Sequence, residues 1–245
     1  MKFEYQSLIN KMMTSIRLRE KVTPGVDFSS VFHDTGFENP YITISRDPGS
    51  GGRPIAKILE GRLGWQYYNE RLLDEMAKST KIQKRILQQV SEKGRTMLQD
   101  FAQALLNPDY VSDVKYMKEL IRIILTLGYK GEVIILDHGA NFILPEGHGL
   151  RVRITAPYHV RLQRAREYET KTELQAKATL RAVEKDRQEF VHQYFEKDID
   201  SDEHYDLVIN TTFYNMEDVA EIIERALYRK FPNYRKKRRF MLGRT

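Results

Sequence analysis

Tyr41–Gly64, YITISRDPGSGGRPIAKILEGRLG, is the stretch around which the rest of the chain arranges itself. It opens with a β-branched and aromatic run, Tyr41-Ile42-Thr43-Ile44, turns through Gly49, Gly51 and Gly52, and continues into an apolar-periodic segment. That order predicts strand, glycine loop, helix. Pro54 suits the first helical turn, where its missing N–H has no partner to lose, and Ile55, Ile58, Leu59 and Leu63 fall on one buried face. Gly64 is the expected stop. Backbone N–H groups and the positive end of a helix meet at such a loop, which favours phosphate; the same turn also serves tight packing alone in many α/β proteins.

The loop departs from the full phosphate-loop pattern G-x-x-x-x-G-K-[ST]. With Gly51 as the second glycine, the first falls on Arg46, the lysine on Gly52, and the hydroxyl on Arg53 or Pro54. A phosphate cradle is expected, without the usual lysine and magnesium-ligating hydroxyl.

Composition bounds the classes. At 245 residues and 41% hydrophobic content, the chain can bury a sizeable core as one domain or one domain with a smaller lobe. No run approaches the roughly 18 apolar residues of a membrane span. The start, MKFEYQSLINKMM, lacks the uninterrupted apolar region of a signal peptide, so a cytoplasmic location with no membrane partner is expected. Cysteine is absent, which excludes disulfides, thiol catalysis and thiolate metal sites. The net charge of +6 is concentrated: Tyr228–Thr245 holds eight basic residues and no acidic ones, leaving −2 on the other 227. The run RKKRR, with Phe231, Tyr234 and Phe240 nearby, is compatible with nucleic acid but not favoured as a binding site. The aromatics serve equally to dock the tail on its own domain.

Strands alternate with helices along the chain. Met1–Val22 has a loose helical pattern, and Thr23–Asn39 reads as a connector. Trp65–Tyr68 is a short strand candidate, followed by a helix for which Asn69 is the expected N-cap. Lys78–Leu127 is helical in pattern and interrupted at Pro108. Val133–Leu136 reads as a buried strand ending at Asp137-His138-Gly139, so Asp137 lies either at a ligand-bearing strand end or as a cap of the next turn. Arg151–Thr155 and Leu207–Asn210 are further strands, and helices are expected after Pro157, over Thr172–Phe195 and over Met216–Arg229. The fold class is α/β with a mainly parallel sheet.

ITISRDPGSGGRPIAKILEGRLGW, YYNERLLDEMA, VIILDHGANFILP, RVRITAPYHVRLQRA, EKDRQEFVHQYF and YDLVINTTFYNMEDVAEII occur in that order. Together they resemble the cytidylate-kinase-like family of P-loop nucleoside monophosphate kinases, over Tyr41 to about Leu227. The resemblance implies a P-loop NTPase-like three-layer fold at 40–228, with an acceptor lobe at 65–128 and a lid at 158–200. An extension at 1–39 and a basic tail at 229–245 lie outside it.

The resemblance also implies transfer of the γ-phosphoryl group of ATP, with Mg²⁺, to a nucleoside monophosphate, CMP or dCMP first among them. It assigns ATP phosphates to Gly49, Ser50, Gly51, Gly52, Arg53, Arg161 and Arg164, and charge neutralisation or alignment to Arg46, Arg181, Asp186 and Arg187. Tyr68, Asn69, Arg71, Asp137 and His138 fall at the acceptor. Arg46 or Arg53 is expected to replace the missing lysine. Asn69 and Asp137-His138-Gly139 stand where relatives tend to carry Asp and Gly-Arg-Gly. Those departures leave open a degenerate protein that binds nucleotide without turnover, or a kinase of another small acceptor. Metal ligands and oligomeric state are not read from the sequence.

Overall fold

A computed structural model describes residues 37–78, 112–169, 172–195 and 197–234. The expected N-terminal helix, most of the helical block before Ser112, and the RKKRR run lie outside the described residues.

Among the described residues, five strands form one parallel sheet: β1 (Tyr41–Arg46), β2 (Gln66–Tyr68), β3 (Val133–Leu136), β4 (Gly149–Thr155) and β5 (Leu207–Asn210), in the order β2-β3-β1-β4-β5. The register pairs Ile44 with Leu136 on one side of β1 and with Val152 on the other. Because side chains alternate along a strand, Ile42, Ile44, Ile134 and Leu136 face one layer, while Tyr41, Val133 and Ile135 face the opposite one. Helices α1 (Gly52–Leu63) and α7 (Met216–Lys230) cover the first face, and α2 (Glu70–Lys78), α3 (Ser112–Lys130) and α4 (Ala140–Ile143) the second. Helices α5 (Tyr158–Glu169) and α6 (Glu173–Phe195) join through a small contact of Ala165, Ala176 and Leu180.

The local signals explain the boundaries. Ile55, Leu59 and Leu63 are buried on α1, which stops where Gly64 turns left-handed and donates its N–H to the Glu60 carbonyl at 2.9 Å. Asn69 Oδ1 accepts from Leu72 N at 2.9 Å, so Asn69 is the cap of α2. β4 begins at Gly149 rather than Arg151, because Tyr41 pairs with Gly149 in register and extends the ladder upstream. After α7, Phe231 packs against the core and Tyr234 is buried. The Tyr234 hydroxyl accepts from Trp65 Nε1 at 3.1 Å and donates to Glu132 at 3.0 Å. The aromatics preceding the basic run therefore dock on the domain.

Candidate active site

In an open parallel sheet, ligands sit beyond the carboxyl ends of the strands, where neighbouring chain segments diverge. Here the ends of β1 and β3 lie side by side, joined by Asp137 N donating to Ile44 O at 2.8 Å. β1 delivers Arg46 and the glycine loop; β3 delivers Asp137 and His138.

The loop is held from behind. Ser50 Oγ is fully buried and lies 2.8 Å from Asp47 O and 3.0 Å from Ile154 O. Asp47 accepts from Arg153 at 2.9 Å and from Thr155 at 2.5 Å. With the loop so fixed, Gly51 sits at φ 96°, and a Cβ there would meet Met216 Sδ at 2.4 Å. The backbone angle favours glycine, whereas the Met216 thioether end is flexible enough to give way. No side chain caps α1, so its first turn opens directly on the loop.

A cavity of about 500 Å³ lies on that opening, lined by Gly49, Gly51, Gly52, Arg53, Arg164 and Met216 and also by Arg46, Arg187 and Glu70. Arg164 is braced by bonds to Ser50 O at 3.2 Å and to Thr211 Oγ1 and O, both at 2.8 Å. A second cavity of about 410 Å³ shares Arg187 and Glu70 with the first and is lined also by Asp74, Asp137, His138, Asn141 and Asp186.

Arg187 and Glu70 line both cavities, and Arg46, which lines the first, is bonded to both. Arg46 Nη2 reaches Glu70 Oε1 at 2.9 Å, and its Nε lies 3.2 Å from Asp137 Oδ2. Arg187 Nη2 lies 2.5 Å from Glu70 Oε1 and 3.0 Å from Asp137 Oδ2, while its Nη1 donates to Arg46 O at 3.0 Å. Two guanidinium groups thus share the same two carboxylates, a geometry suited to the planar, always-charged arginine.

Position 52 explains the missing lysine. A Cβ on Gly52 would lie 2.3 Å from Arg46 Cδ and 2.9 Å from its Cβ. The arginine stem occupies the space where a lysine side chain at 52 would begin.

The turn after β3 is strained. Asp137, His138 and Gly139 have φ of 63°, 56° and 66°, a run of left-handed residues costing about 1–2 kcal/mol at each non-glycine position. Gly139 is the N-terminal flank of α4 and no side chain caps that helix, so Asp137 is not the turn cap. Its side chain instead points at the arginines. His138 Nε2 lies 3.1 Å from Glu70 O and 3.2 Å from Asp74 Oδ1; facing two acceptors, it carries the proton.

Burial pushes the Asp137 carboxyl up to about 7, with Arg46 and Arg187 opposing and the nearby Glu70 reinforcing the shift. Burial opposes ionisation of Glu70 as well, but its contact with Asp137 and the charges of Arg187 and Arg46 hold it at about 2. Glu70 is the ionised member of the pair and Asp137 the one that takes up a proton near neutrality. Between the ordinary value of 3.8 and about 7, folded Asp137 keeps a proton that the unfolded chain releases. Its contribution to stability therefore falls as pH rises, by at most about 1.4 kcal/mol per pH unit. Asp137→Asn is expected to flatten this slope, its stability relative to the wild type rising from pH 5 to about 7 and levelling off by pH 8. Urea denaturation at pH 5.0, 6.5 and 8.0 measures this, and parallel curves for the two proteins would refute it. The series stays above the range in which Glu70 titrates.

Several expected contacts lie elsewhere. Ser50 is committed to the back of the loop, through both its hydroxyl and its N–H to Asp47 O at 3.1 Å. Arg161 is buried with Nε on Ala156 O at 2.9 Å and Nη2 on Glu184 at 3.1 Å, where it supports the loop through Pro48 O. Tyr68 is buried and donates to Gln66 at 2.7 Å, and Asn69 is the α2 cap. Arg71 is exposed and lines neither cavity. Arg181 projects from an exposed face of α6, six residues and about 240° of helical rotation from Arg187. Gly49, Gly51, Gly52, Arg53, Arg164, Arg46 and Arg187 come together at the loop cavity, and Asp137, His138, Asp186 and Arg187 at the second.

The sequence reading missed Glu70, Asp74 and Asn141. Glu70 and Asp74 are four apart on α2 and so share a face. That spacing, immediately after the aromatic strand, was the available signal.

The described residues contain no helix long and apolar enough to cross a membrane. The cytidylate kinase-like family matches residues 41–213 of this chain. A cytidylate kinase from Sulfolobus acidocaldarius is 29% identical over 190 residues, spanning 77% of this chain and 94% of its own. One from Halobacterium salinarum is 25% identical over 183 residues, spanning 74% and 86%. A solved structure of an uncharacterized protein from Eubacterium ventriosum shares the fold, with a TM-score of 0.54 at 21% identity over 77% of this chain and 98% of that one. The match over most of the length, on a parallel α/β sheet with a glycine loop after β1, means that the chain belongs to the cytidylate kinase-like family.

Proposed function

We propose that this chain is an ATP-dependent phosphotransferase in which the loop cavity takes the phosphates of ATP and a small acceptor enters the second cavity. The observation that carries this reading is the Arg46–Arg187 pair, which sets Arg187, a cation lining both cavities, against Arg46, a cation of the loop cavity. Phosphoryl transfer needs alignment and neutralisation of charge far more than covalent help. The open end of α1 with Gly49, Gly51 and Gly52 supplies backbone donors, Arg53 and Arg164 face the outer phosphates, and Arg46 takes the lysine's role beside position 52. Helices α5 and α6, within the lid span 158–200, carry Arg164 and Arg187; α2, at the start of the 65–128 acceptor lobe, carries Glu70.

Magnesium accompanies ATP in such reactions and would neutralise phosphate charge. The described residues hold no cluster of three His, Asp or Glu side chains able to bind a metal ion, and Asp47 is taken by Arg153 and Thr155. These residues do not form a protein metal site, and the ion would depend on phosphate oxygens and water for its ligands. No step is assigned to it.

The printed names of the two relatives make CMP and dCMP the first nucleotides to assay. The carboxylates around the second cavity favour the alternative of another small acceptor. The committed bonds of Arg46 and Arg187 also support a second reading, a protein that holds nucleotide without turning it over. ATP titration by calorimetry, followed by ADP release with ATP-Mg²⁺ and a panel of acceptors, separates these readings. Micromolar ATP binding with acceptor-dependent ADP release is expected. Binding without release supports the second reading, and absence of ATP binding to folded protein removes both.

A further inference from the structure

Among the described residues, the two cavities have one stretch of lining in common, made by Glu70, Arg187 and Val183. Its polar part is an ion pair. Glu70 Oε1 accepts from Arg187 Nη2 at 2.5 Å and from Arg46 Nη2 at 2.9 Å. Both guanidinium groups therefore end on one carboxylate oxygen, and they are the cations that a phosphate oxygen in either cavity would engage. Asp137 Oδ2 faces the same two arginines, at 3.2 Å from Arg46 Nε and 3.0 Å from Arg187 Nη2.

The two carboxylates differ in their freedom. The Asp137 side chain is 6% exposed and set in the left-handed turn after β3, so it stays in place. Burial lets it carry a proton near neutrality, whereas Glu70 stays ionised. The Glu70 side chain is 34% exposed and can turn to water without leaving a charge buried. Its backbone is fixed, by the Asn69 cap at the start of α2 and by His138 Nε2, 3.1 Å from Glu70 O. Glu70 is thus the exchangeable member of the cluster.

An anion in either cavity competes with Glu70 for the same N–H donors. The first anion to arrive must displace the carboxylate, and its binding is weakened by that cost. Displacement frees Arg46 on the loop side and Arg187 on both sides, so the second anion meets released donors. Two anions in adjoining cavities otherwise repel, and a fixed wall would give negative coupling.

We propose that Glu70 is a positioning residue that acts as an exchangeable counter-ion, holding Arg46 and Arg187 together until an anion takes its place and thereby coupling the binding of ATP to that of an anionic acceptor. This rests on the phosphoryl-transfer reading above for the identity of the two ligands.

The test uses the full chain, with adenylyl imidodiphosphate and Mg²⁺ as the ATP probe and CMP and dCMP as acceptor probes. Calorimetry measures each ligand alone and beside the other. Wild type is expected to bind at least one monophosphate about tenfold more tightly beside the analogue, and the analogue more tightly by the same factor beside that monophosphate, as linkage requires. Glu70→Gln keeps the size and an acceptor oxygen, at a position exposed enough to leave folding intact. It is expected to bind the analogue alone about fivefold more tightly, where a structural defect would weaken binding, and to couple the two ligands by less than about threefold. Glu70→Asp keeps the charge and should couple them by more than that. Negative or sub-threefold coupling in wild type overturns the inference, as do monophosphates that bind neither alone nor beside the analogue. So does analogue binding unchanged or weakened in Glu70→Gln, or coupling as low in Glu70→Asp as in Glu70→Gln. ADP release from ATP-Mg²⁺ separates the two readings. Coupling lost in Glu70→Gln, with no ADP release from wild type, upholds the counter-ion and overturns phosphoryl transfer; acceptor-dependent ADP release from a wild type without coupling does the reverse.

Discussion

Arg187→Ala is expected to lower turnover by about 10²–10³-fold, the range found when one preorganised donor to a developing charge is removed. The side chain acts through both of its terminal nitrogens. Its Nη1 fixes the carbonyl of Arg46, and its Nη2 faces Glu70 and Asp137 together. Losing it removes a cation from the boundary between the cavities and frees the Arg46 backbone from α6. Stability should fall too, but by less than the about 3–5 kcal/mol that follows complete loss of a buried partner, because Arg46 still faces both carboxylates. Arg187→Lys should rescue little of the turnover, since one ammonium cannot span a carbonyl and two carboxylates in the plane a guanidinium provides. Steady-state ADP release and urea denaturation of both variants measure the two effects. Turnover within threefold of wild type in a folded Arg187→Ala protein would remove the Arg46–Arg187 pair from the mechanism.

Arg181 supplies the control. It sits on the same helix but on an exposed face away from both cavities, so its expected role in charge neutralisation is not supported by its placement. The contrast shows where residue type stops being informative. Periodicity marks which side of a helix is apolar, but α6 is charged on most of its surface, and nothing in a charged stripe says which arginine faces a cavity.

The framework was legible for the opposite reason. β3 is buried on both faces and reads as a continuous apolar run, β1 and β4 carry β-branched and apolar residues through most of their length, and Gly64 and Asn69 act through local backbone chemistry that needs no tertiary partner. In the site, the glycine loop and several charged side chains, Arg46, Arg164, Arg187 and Asp137 among them, were legible. Gly49, Gly51 and Gly52 announced a loop, and the loop is there. The family resemblance places Ser50 and Arg161 at the ATP phosphates, and in the structure both hold the loop from behind. That use depends on partners more than a hundred residues away, Ile154 for Ser50 and Pro48 for Arg161. Glu70 was hidden for a similar reason: its importance comes from two arginines delivered by β1 and α6, and adjacency along the chain shows neither.

Gly52→Lys, which writes the usual lysine back into the loop, is expected to harm the protein. A Cβ at 52 would lie 2.3 Å from Arg46 Cδ and 2.9 Å from Arg46 Cβ, so the arginine stem must move. Its guanidinium is tied to Glu70 and Asp137 and cannot yield without breaking those pairs. Overpacking of this kind costs about 1–3 kcal/mol, and displacing Arg46 from a mostly buried pair of carboxylates adds to it. Gly52 is not among the positive-φ residues, so the cost is steric and does not come from backbone conformation. Truncating the obstructing side chain should then relieve it. In the double variant Arg46→Ala with Gly52→Lys, the lysine can extend through the vacated space toward Glu70 and Asp137. The two substitutions should together cost at least about 1 kcal/mol less than the sum of their separate effects. Urea denaturation of the four proteins completes the cycle, and ATP titration shows whether the lysine restores the cation that Arg46→Ala removes. Strict additivity, or a Gly52→Lys protein as stable as wild type, would mean that Arg46 does not occupy the lysine's space.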